Sequence, residues 1–361
     1  PLTTSLSVKQ AMLHDYGSRD ATFIDLNARI LDRLVDIVQG QGTHVSVPLQ
    51  GSGTFVVEAM IGNFVPADGK LLILINGAYG QRIAKICDYY KREYLVQESA
   101  EDVPVDTDQL DATLDANPDI GHVVVVHCET TSGILNPIAE VARIVARHGR
   151  SLLIDSMSAF GALPLDAQEI EFDAVVASSN KCLEGAPGMG FCVARETALE
   201  QTEGNSPSLV LDLYDQWRAM QKNRQWRFTP PTHVLLAFDQ ALTEFEAEGG
   251  VAGRGGRYRE NCDLLISGMR DMGFKTLLPD ELQAPIIITF HMPENPAFDF
   301  TEFYDGLKDQ GYVIYPGKLT VADSFRMGCI GRLGTEEIRG ALKAVAGMLQ
   351  QFGIERITNS T

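Results

Sequence analysis

The sequence predicts an open α/β fold, in which helices cover a mostly parallel sheet and a smaller α+β unit follows. Short apolar runs alternate with amphipathic stretches as far as residue 249. The runs are apolar on both faces, which is typical of parallel strands buried between two layers of helices. Ligands of open α/β sheets bind at the carboxyl ends of the strands, so we expect a functional site at that edge.

Six apolar runs are predicted to be strands of the large sheet, at residues 45–47, 71–75, 123–126, 152–154, 174–176 and 191–193. Helices are predicted at residues 23–38, 55–63 and 138–148, where apolar side chains recur at helical spacing. Beyond the glycine-rich stretch 249–256, helices are predicted at residues 257–272 and 301–310 and from Thr335 onward, with strands at 286–291, 312–315 and 325–330.

These patterns divide the chain into three predicted segments. Residues 1–20 form an N-terminal segment that packs with the small domain, residues 21–249 form the large α/β domain, and residues 250–361 form the small α+β domain. The chain starts at Pro1-Leu2 without a methionine, so we expect the natural start to lie upstream.

The composition excludes several classes of partner. A formal net charge of -18 repels nucleic acid and anionic membranes. No apolar run approaches the roughly 20 residues that a membrane helix needs. The six cysteines are scattered without a CxxC pair, which predicts reduced thiols in a cytoplasmic protein. The seven histidines show no spacing typical of metal ligands, so no metal site is predicted.

Two predicted strands end in residues that can bind a ligand. The loop 50–54, Gln-Gly-Ser-Gly-Thr, lies between a strand and a helix, where free N–H groups and hydroxyls can hold a phosphate. It lacks the lysine of a Walker A loop, and an ordinary capped turn is the alternative. Asp155 follows the strand 152–154 and should point into the ligand crevice, unless it only caps a helix.

Two more side chains are expected at the same edge. Lys181 leaves the strand 174–176 and enters a loop rich in glycine and proline, with small or apolar neighbours on both sides. A lysine partly removed from water becomes a usable nucleophile, although most lysines are surface charges. Tyr79, in the turn 76–82, places an aromatic ring at this edge, unless the turn carries it only by chance.

The order of loop, aromatic, aspartate and lysine resembles the fold type I pyridoxal-phosphate enzymes, and within them the class V aminotransferases. The resemblance spans essentially the whole chain and implies pyridoxal 5'-phosphate as the cofactor. It implies that Ser52, Gly53 and Thr54 hold the phosphate, that Tyr79 stacks on the ring, that Thr131 lies near the ring hydroxyl, that Asp155 pairs with the pyridine nitrogen, and that Lys181 forms the Schiff base.

The resemblance also implies a homodimer with active sites at the interface. Thr229, in the stretch 226–232, matches a residue that reaches the phosphate of the other subunit. Arg326 matches the arginine that binds the substrate carboxylate, and Arg19 is a candidate for a second anionic group. The stretches 14–20, 178–185 and 226–231 most resemble the members that transfer an amino group from 2-aminoethylphosphonate to pyruvate.

Other functions remain open at this point. Alanine–glyoxylate and serine–pyruvate aminotransferases belong to the same family. A cysteine desulfurase is disfavoured, because those enzymes carry a histidine before the lysine and this chain has Asn180. A phosphate- or nucleotide-binding protein without covalent chemistry would use the loop 51–54 alone, and it would be colourless where a pyridoxal-phosphate enzyme is yellow.

Overall fold

The chain is described by a computed structural model that covers residues 2–320 and 322–357. Residues 1, 321 and 358–361, which belong to the predicted N-terminal and small-domain segments, lie outside the described residues. The helices are α1 Leu6–Ala11, α2 Ala21–Ile37, α3 Gly53–Phe64, α4 Ala78–Tyr90, α5 Thr107–Ala116, α6 Ile138–Arg147, α7 Glu196–Glu200, α8 Leu213–Asn223, α9 Thr232–Ala247, α10 Gly250–Asp271, α11 Phe300–Asp309 and α12 Thr335–Gln351. The strands are β1 His44–Gly51, β2 Lys70–Ile75, β3 Glu93–Glu98, β4 Ile120–Val126, β5 Cys128–Glu129, β6 Ile134–Leu135, β7 Ser151–Asp155, β8 Ala174–Ser178, β9 Gly188–Arg195, β10 Ile287–His291, β11 Tyr315–Pro316 and β12 Ser324–Gly328.

Seven strands form one sheet in the order β1-β9-β8-β7-β4-β2-β3. Neighbours are parallel from β8 to β3, whereas β9 is antiparallel to both β8 and β1. All six predicted strands are present, and the predicted mostly parallel α/β sheet is confirmed. Because β1 runs in the same direction as β8, the carboxyl ends of β1, β2, β4, β7 and β8 meet at one edge of the sheet.

Helices cover both faces of this sheet, which explains why its strands are apolar throughout. Leu72 and Leu74 of β2 pack into one buried cluster, together with residues of α2, α6 and α9. Leu71 and Ile73 of the same strand pack into a second cluster on the opposite face, with residues of α3, α4 and α8. Alternate side chains of β2 are therefore buried in two different hydrophobic clusters, one on each face of the sheet.

The edge strand β3 was not predicted from the sequence. Its apolar run is only three residues long, 94–96, with polar residues on both sides, and most of its side chains are at least partly exposed. It pairs with β2 along one side only, at the end of the sheet. A search for continuous apolar runs misses such a strand, because an edge strand is buried less than its neighbours.

The glycine-rich stretch 249–256 was predicted to precede a helix starting at residue 257, and this prediction is wrong. Helix α10 begins at Gly250 and runs through the stretch. A Cβ on Gly253 would lie 1.9 Å from the Glu248 carbonyl oxygen, and one on Gly255 would lie 2.3 Å from the Ala162 carbonyl oxygen. These glycines therefore allow close packing of α10 instead of forming a flexible connection.

The C-terminal part contains a three-stranded antiparallel sheet, in the order β10-β12-β11, with α10, α11 and α12. Its buried cluster, around Phe274, Phe290 and Phe325, includes only residues from 262 onward. Strand β11 covers only Tyr315–Pro316, shorter than the predicted strand, and β12 ends at Gly328. The predicted boundary at residues 249/250 stays a prediction, since α10 packs against both α9 and α12.

The described part of the N-terminal segment contacts both units. The Thr3 carbonyl oxygen accepts a hydrogen bond from the Arg332 N–H at 2.8 Å, which ties the segment to the C-terminal part. The hydroxyl of Ser5 donates to Glu244 of α9 at 2.8 Å, and Val8 is buried in the first large cluster. Within the described residues, no helix is both long and apolar enough to cross a membrane.

Candidate active site

A cavity of about 580 Å³ opens at the edge of the sheet where the carboxyl ends of the parallel strands meet. It brings together six of the predicted site residues: Ser52, Gly53, Thr54, Tyr79, Asp155 and Lys181. The remaining lining residues are Gly51, Val57, Arg82, Val126, Cys128, Thr130, Met157, Ser158, Ser178, Asn180, Pro187 and Gly188. Each of the four sequence segments was a weak signal by itself, but residues of all four line the same cavity.

The loop between β1 and α3 has the features of an anion site. Ser52 precedes the first residue of α3, and its side chain makes no capping hydrogen bond, so its hydroxyl stays available. The first N–H groups of a helix lack intrahelical partners and attract an anion. Gly51 has a φ of 127°, which favours glycine, and a Cβ on Gly53 would lie 2.3 Å from the Met157 sulfur, so a larger residue there would have to displace the Met157 side chain.

Arg82, one turn into α4, adds a positive charge to this loop. Its Nη1 donates a hydrogen bond to the Thr54 hydroxyl at 2.9 Å, and its guanidinium lies 4.8 Å from the centre of the Tyr79 ring. It forms no ion pair with a carboxylate of the described residues, so its charge can serve a ligand. Arg82 lies within the turn 76–82 quoted above, but the sequence did not single it out.

Tyr79 is held by a buried carboxyl group that the sequence analysis missed. Glu129 accepts the N–H groups of Tyr79 at 3.1 Å and Gly80 at 3.4 Å. A Cβ on Gly77 would lie 2.5 Å from the Glu129 side chain, so this approach requires glycine. Burial raises the pKa of Glu129 above its ordinary value, although the surrounding hydrogen bonds oppose the rise.

Thr130 lies at the cavity in place of the predicted Thr131. The Thr131 hydroxyl is fully used: it donates to Glu129 at 2.6 Å and accepts the Ala78 N–H at 3.0 Å. Thr131 is absent from the cavity wall, whereas Thr130 is part of it. The two residues follow the short strand β5 in the turn of a hairpin.

Asp155 is the last residue of β7 and is buried. Its Oδ1 accepts the Met157 N–H at 3.0 Å, and within the described residues no cation forms an ion pair with it. Burial raises the pKa of Asp155 from 3.8 to about 6, and the nearby Glu129 adds to the rise. The neighbouring His127 provides no charge, because burial lowers its pKa to about 4. A protonated ring nitrogen would supply the missing partner.

Lys181 follows β8 in a loop that the C-terminal part holds in place. The next carbonyl oxygen, of Cys182, accepts hydrogen bonds from Arg254 and, at 3.3 Å, from the Tyr258 hydroxyl. The same hydroxyl donates to Glu184 at 2.6 Å. The Lys181 amine itself has no hydrogen bond or ion pair to any described residue, and it is therefore free to react.

Arg326 lies next to the cavity and is buried without a carboxylate partner among the described residues. Its Nη1 donates to the Thr130 carbonyl oxygen at 2.7 Å, and its Nη2 donates to the Pro316 carbonyl oxygen at 3.2 Å. Burial lowers the pKa of Arg326 below its ordinary value. A buried guanidinium that meets only carbonyl oxygens is a natural receptor for an anion.

Besides Thr131 and Arg326, two further predicted site residues are not part of the cavity wall of this chain. Arg19 is exposed just before α2. Thr229 is also exposed, and it lines a separate cavity of about 150 Å³ together with Gln50 and Phe55. Through Gln50, this second cavity lies next to the loop between β1 and α3.

Comparisons with known proteins agree with this geometry. The family model for aminotransferase class-V matches residues 53–317, which is more than half of the chain. A 2-aminoethylphosphonate–pyruvate transaminase 1 from Polaromonas sp. is 54% identical over 358 residues, which cover 98% of this chain and 96% of that protein. A 2-aminoethylphosphonate–pyruvate transaminase from Pseudomonas aeruginosa is 50% identical, over 99% of this chain and 96% of that protein.

A solved structure shares the fold. The pyridoxamine-pyruvate aminotransferase from Mesorhizobium loti superposes with a TM-score of 0.90 at 23% identity, over 98% of this chain and 91% of that chain. Together with the match to the family model, these similarities confirm the resemblance drawn from the sequence. The chain belongs to the class V aminotransferases.

Proposed function

We propose that this chain uses pyridoxal phosphate to transfer the amino group of 2-aminoethylphosphonate to pyruvate, giving phosphonoacetaldehyde and L-alanine. The observation that carries the proposal is the cavity in which an unpaired lysine, Lys181, and a buried carboxyl group, Asp155, lie beside an anion-binding loop. The relatives at 54% and 50% identity, named for this reaction, support the choice of substrates.

The residues of the cavity suit pyridoxal phosphate. Ser52, Gly53 and Thr54, with Arg82 behind them, would hold the phosphate, and Tyr79 would stack on the ring. Thr130, which lines the cavity where the predicted Thr131 does not, would be the residue near the ring hydroxyl. When bound, pyridoxal phosphate supplies an electron sink for the bond that breaks at the amine-bearing carbon.

The chain's own residues then have separate tasks. Asp155 holds a proton on the pyridine nitrogen, because an unpaired buried carboxylate favours a cationic partner. The Lys181 amine would take the proton from the carbon that bears the amino group and deliver it to the cofactor carbon, and it would make the reverse transfer with pyruvate, as a general base and acid. Arg326 binds the carboxylate of pyruvate through its planar pair of donors.

We further propose a homodimer in which Thr229 of one protomer reaches the phosphate loop of the other. Apolar side chains are exposed near Thr229: Phe55 is 51% exposed, Val210 59% and Phe228 43%. A contiguous exposed apolar patch of this kind is typical of a protein interface. The six cysteines are all buried and unpaired, which agrees with the proposed cytoplasmic location.

Amino-donor profiling with pyruvate as the acceptor tests the proposed reaction. We expect 2-aminoethylphosphonate to exceed L-serine and glycine by at least about a hundredfold in kcat/KM. The purified protein should also be yellow. If serine or glycine with glyoxylate proves the better pair, the phosphonate assignment fails and the alanine–glyoxylate or serine–pyruvate activity takes its place.

A further inference from the structure

We infer that Lys318 is a second cation of the substrate site and that it selects a dianionic phosphonate over a carboxylate. The inference rests on the proposed function and names the group that would distinguish its two anionic substrates. Lys318 lies in the segment after β11, far from the cavity in sequence, and nothing in the sequence pattern marks it.

The position of Lys318 is defined by Tyr79. Its Nζ lies 3.4 Å from the Tyr79 hydroxyl and 5.1 Å from the centre of the Tyr79 ring. Although burial alone would raise the pKa of Tyr79, a hydrogen bond with Thr130 and the charges of Lys318 and Lys181 hold it below its ordinary value. The charges of Lys318 and Lys181 therefore both act on the Tyr79 hydroxyl.

Arg326 belongs to the same group of contacts. The Thr130 carbonyl oxygen binds Arg326, the Thr130 hydroxyl bonds to Tyr79, and the Tyr79 hydroxyl bonds to Lys318. Lys318 therefore contacts Tyr79 directly, and Arg326 is linked to it through Thr130. Neither of them forms an ion pair with any carboxylate in residues 2–320 and 322–357, so two positive charges remain for a ligand.

The segment that carries Lys318 is held at both ends. The Gly317 N–H donates to the Ser324 carbonyl oxygen at 2.9 Å, next to β12, which carries Arg326. The Thr320 N–H donates to the Glu101 carboxylate at 3.0 Å. Glu101 therefore binds the backbone of this segment, and among the described residues it forms no ion pair with Lys318.

The charges of the two substrates explain why one site would need two cations. Pyruvate presents a single negative charge, and one bidentate arginine satisfies it. A phosphonate carries up to two negative charges on three oxygens, so it has an oxygen and a charge left over after pairing with Arg326. In a chain of net charge -18, a second local cation is needed to hold that dianion. Lys318 is the cation placed to do so.

Two unreactive ligands of the same carbon chain test this inference on the holoenzyme. Ethylphosphonate and propionate lack an amino group, and their affinities can be measured by calorimetry. Lys318→Met should weaken ethylphosphonate at least about fivefold and propionate less than about twofold, since a lysine at the surface contributes modestly. Lys318→Arg, which keeps the charge, should retain most of the affinity for ethylphosphonate.

A matched control and a pH series sharpen the test. Lys308→Met removes the same charge from an exposed position in the last turn of α11, and it should change neither affinity. In the wild type, ethylphosphonate should bind more tightly as its second proton is lost, and Lys318→Met should flatten this dependence.

The outcomes separate the inference from the proposed function. If Lys318→Met leaves the affinity for ethylphosphonate unchanged, or weakens both ligands equally, Lys318 only packs on the tyrosine and the inference fails. If the wild type does not use 2-aminoethylphosphonate with pyruvate, the proposed function fails, whatever Lys318 does. Half-reaction rates with 2-aminoethylphosphonate and with L-alanine should show the same selectivity as the binding data.

Discussion

Asp155→Asn should stabilise the apoenzyme at neutral pH while it removes activity. Because burial raises the pKa of Asp155 from 3.8 to about 6, the ionised carboxylate opposes folding at every pH above its unfolded value. The cost grows as the pH rises from about 4 to about 6 and is complete above that. A rise of this size corresponds to about 3 kcal/mol at pH 8 and about half of that at pH 5.

The net gain in the free energy of unfolding should be smaller than this upper value. An asparagine keeps the shape and can still accept the Met157 N–H, but it places an amide NH₂ group where no partner is provided, which costs about 1 kcal/mol or more. We therefore expect a gain of about 1 to 2 kcal/mol at pH 8 in urea unfolding of the apoenzyme, and clearly less at pH 5. Turnover should fall by orders of magnitude, because an amide cannot hold the pyridine nitrogen protonated.

Asp166→Asn is a matched control for this experiment. Asp166 accepts the Gln168 N–H at 2.8 Å in the same two-residue turn that Asp155 makes with Met157, but outside the cavity. Asp166→Asn should shift the unfolding free energy by less than about 0.5 kcal/mol at both pH values. If Asp155→Asn destabilises the apoenzyme equally at pH 5 and pH 8, or keeps activity within about threefold, Asp155 is only a turn residue and the reasoning is refuted.

Three further predictions concern the surroundings of the cavity. Arg326→Lys should raise the apparent KM for pyruvate about tenfold, because a bidentate pair becomes a single contact; an unchanged KM would place the carboxylate site elsewhere. Gly77→Ala should destabilise the protein by about 2 kcal/mol in urea unfolding, because the added Cβ would lie 2.5 Å from Glu129, whereas a loss below about 0.5 kcal/mol would mean that Glu129 moves aside easily. Sedimentation at assay concentration should show a dimer, and an active monomer would contradict the proposed role of Thr229 across the interface.

The parts of the fold that could be predicted are those where burial dictates residue type. The six predicted strands, five internal ones and the edge strand β1, are largely buried, so their composition alone reveals them. Strand β3 was not predicted because its apolar run is short, lies between polar residues and is partly exposed at the edge of the sheet. The glycines of α10 were misread because the sequence does not show that Ala162 and Glu248 lie against that helix.

The residues of the candidate site also fall into two groups, those that the sequence predicts and those that only the structure reveals. Ser52, Asp155 and Lys181 were predictable, because each follows a recognisable strand and all such strand ends meet at one edge. The choice between Thr130 and Thr131 depends on the hydrogen bonds of Thr131 to Glu129 and Ala78, which the sequence does not reveal. Lys318 meets Tyr79 across 239 positions of sequence, so only the packing of the C-terminal part against the sheet reveals it.

Chemical fixation of the cofactor tests the central claim most directly. Borohydride reduction of the purified yellow protein, followed by peptide mapping, should place a single pyridoxyl group on Lys181, and Lys181→Ala should take up no label and show no turnover. A label on Lys318, which also lies beside Tyr79, would contradict the assignment of the cavity residues, and so would a wild-type protein that takes up no label at all.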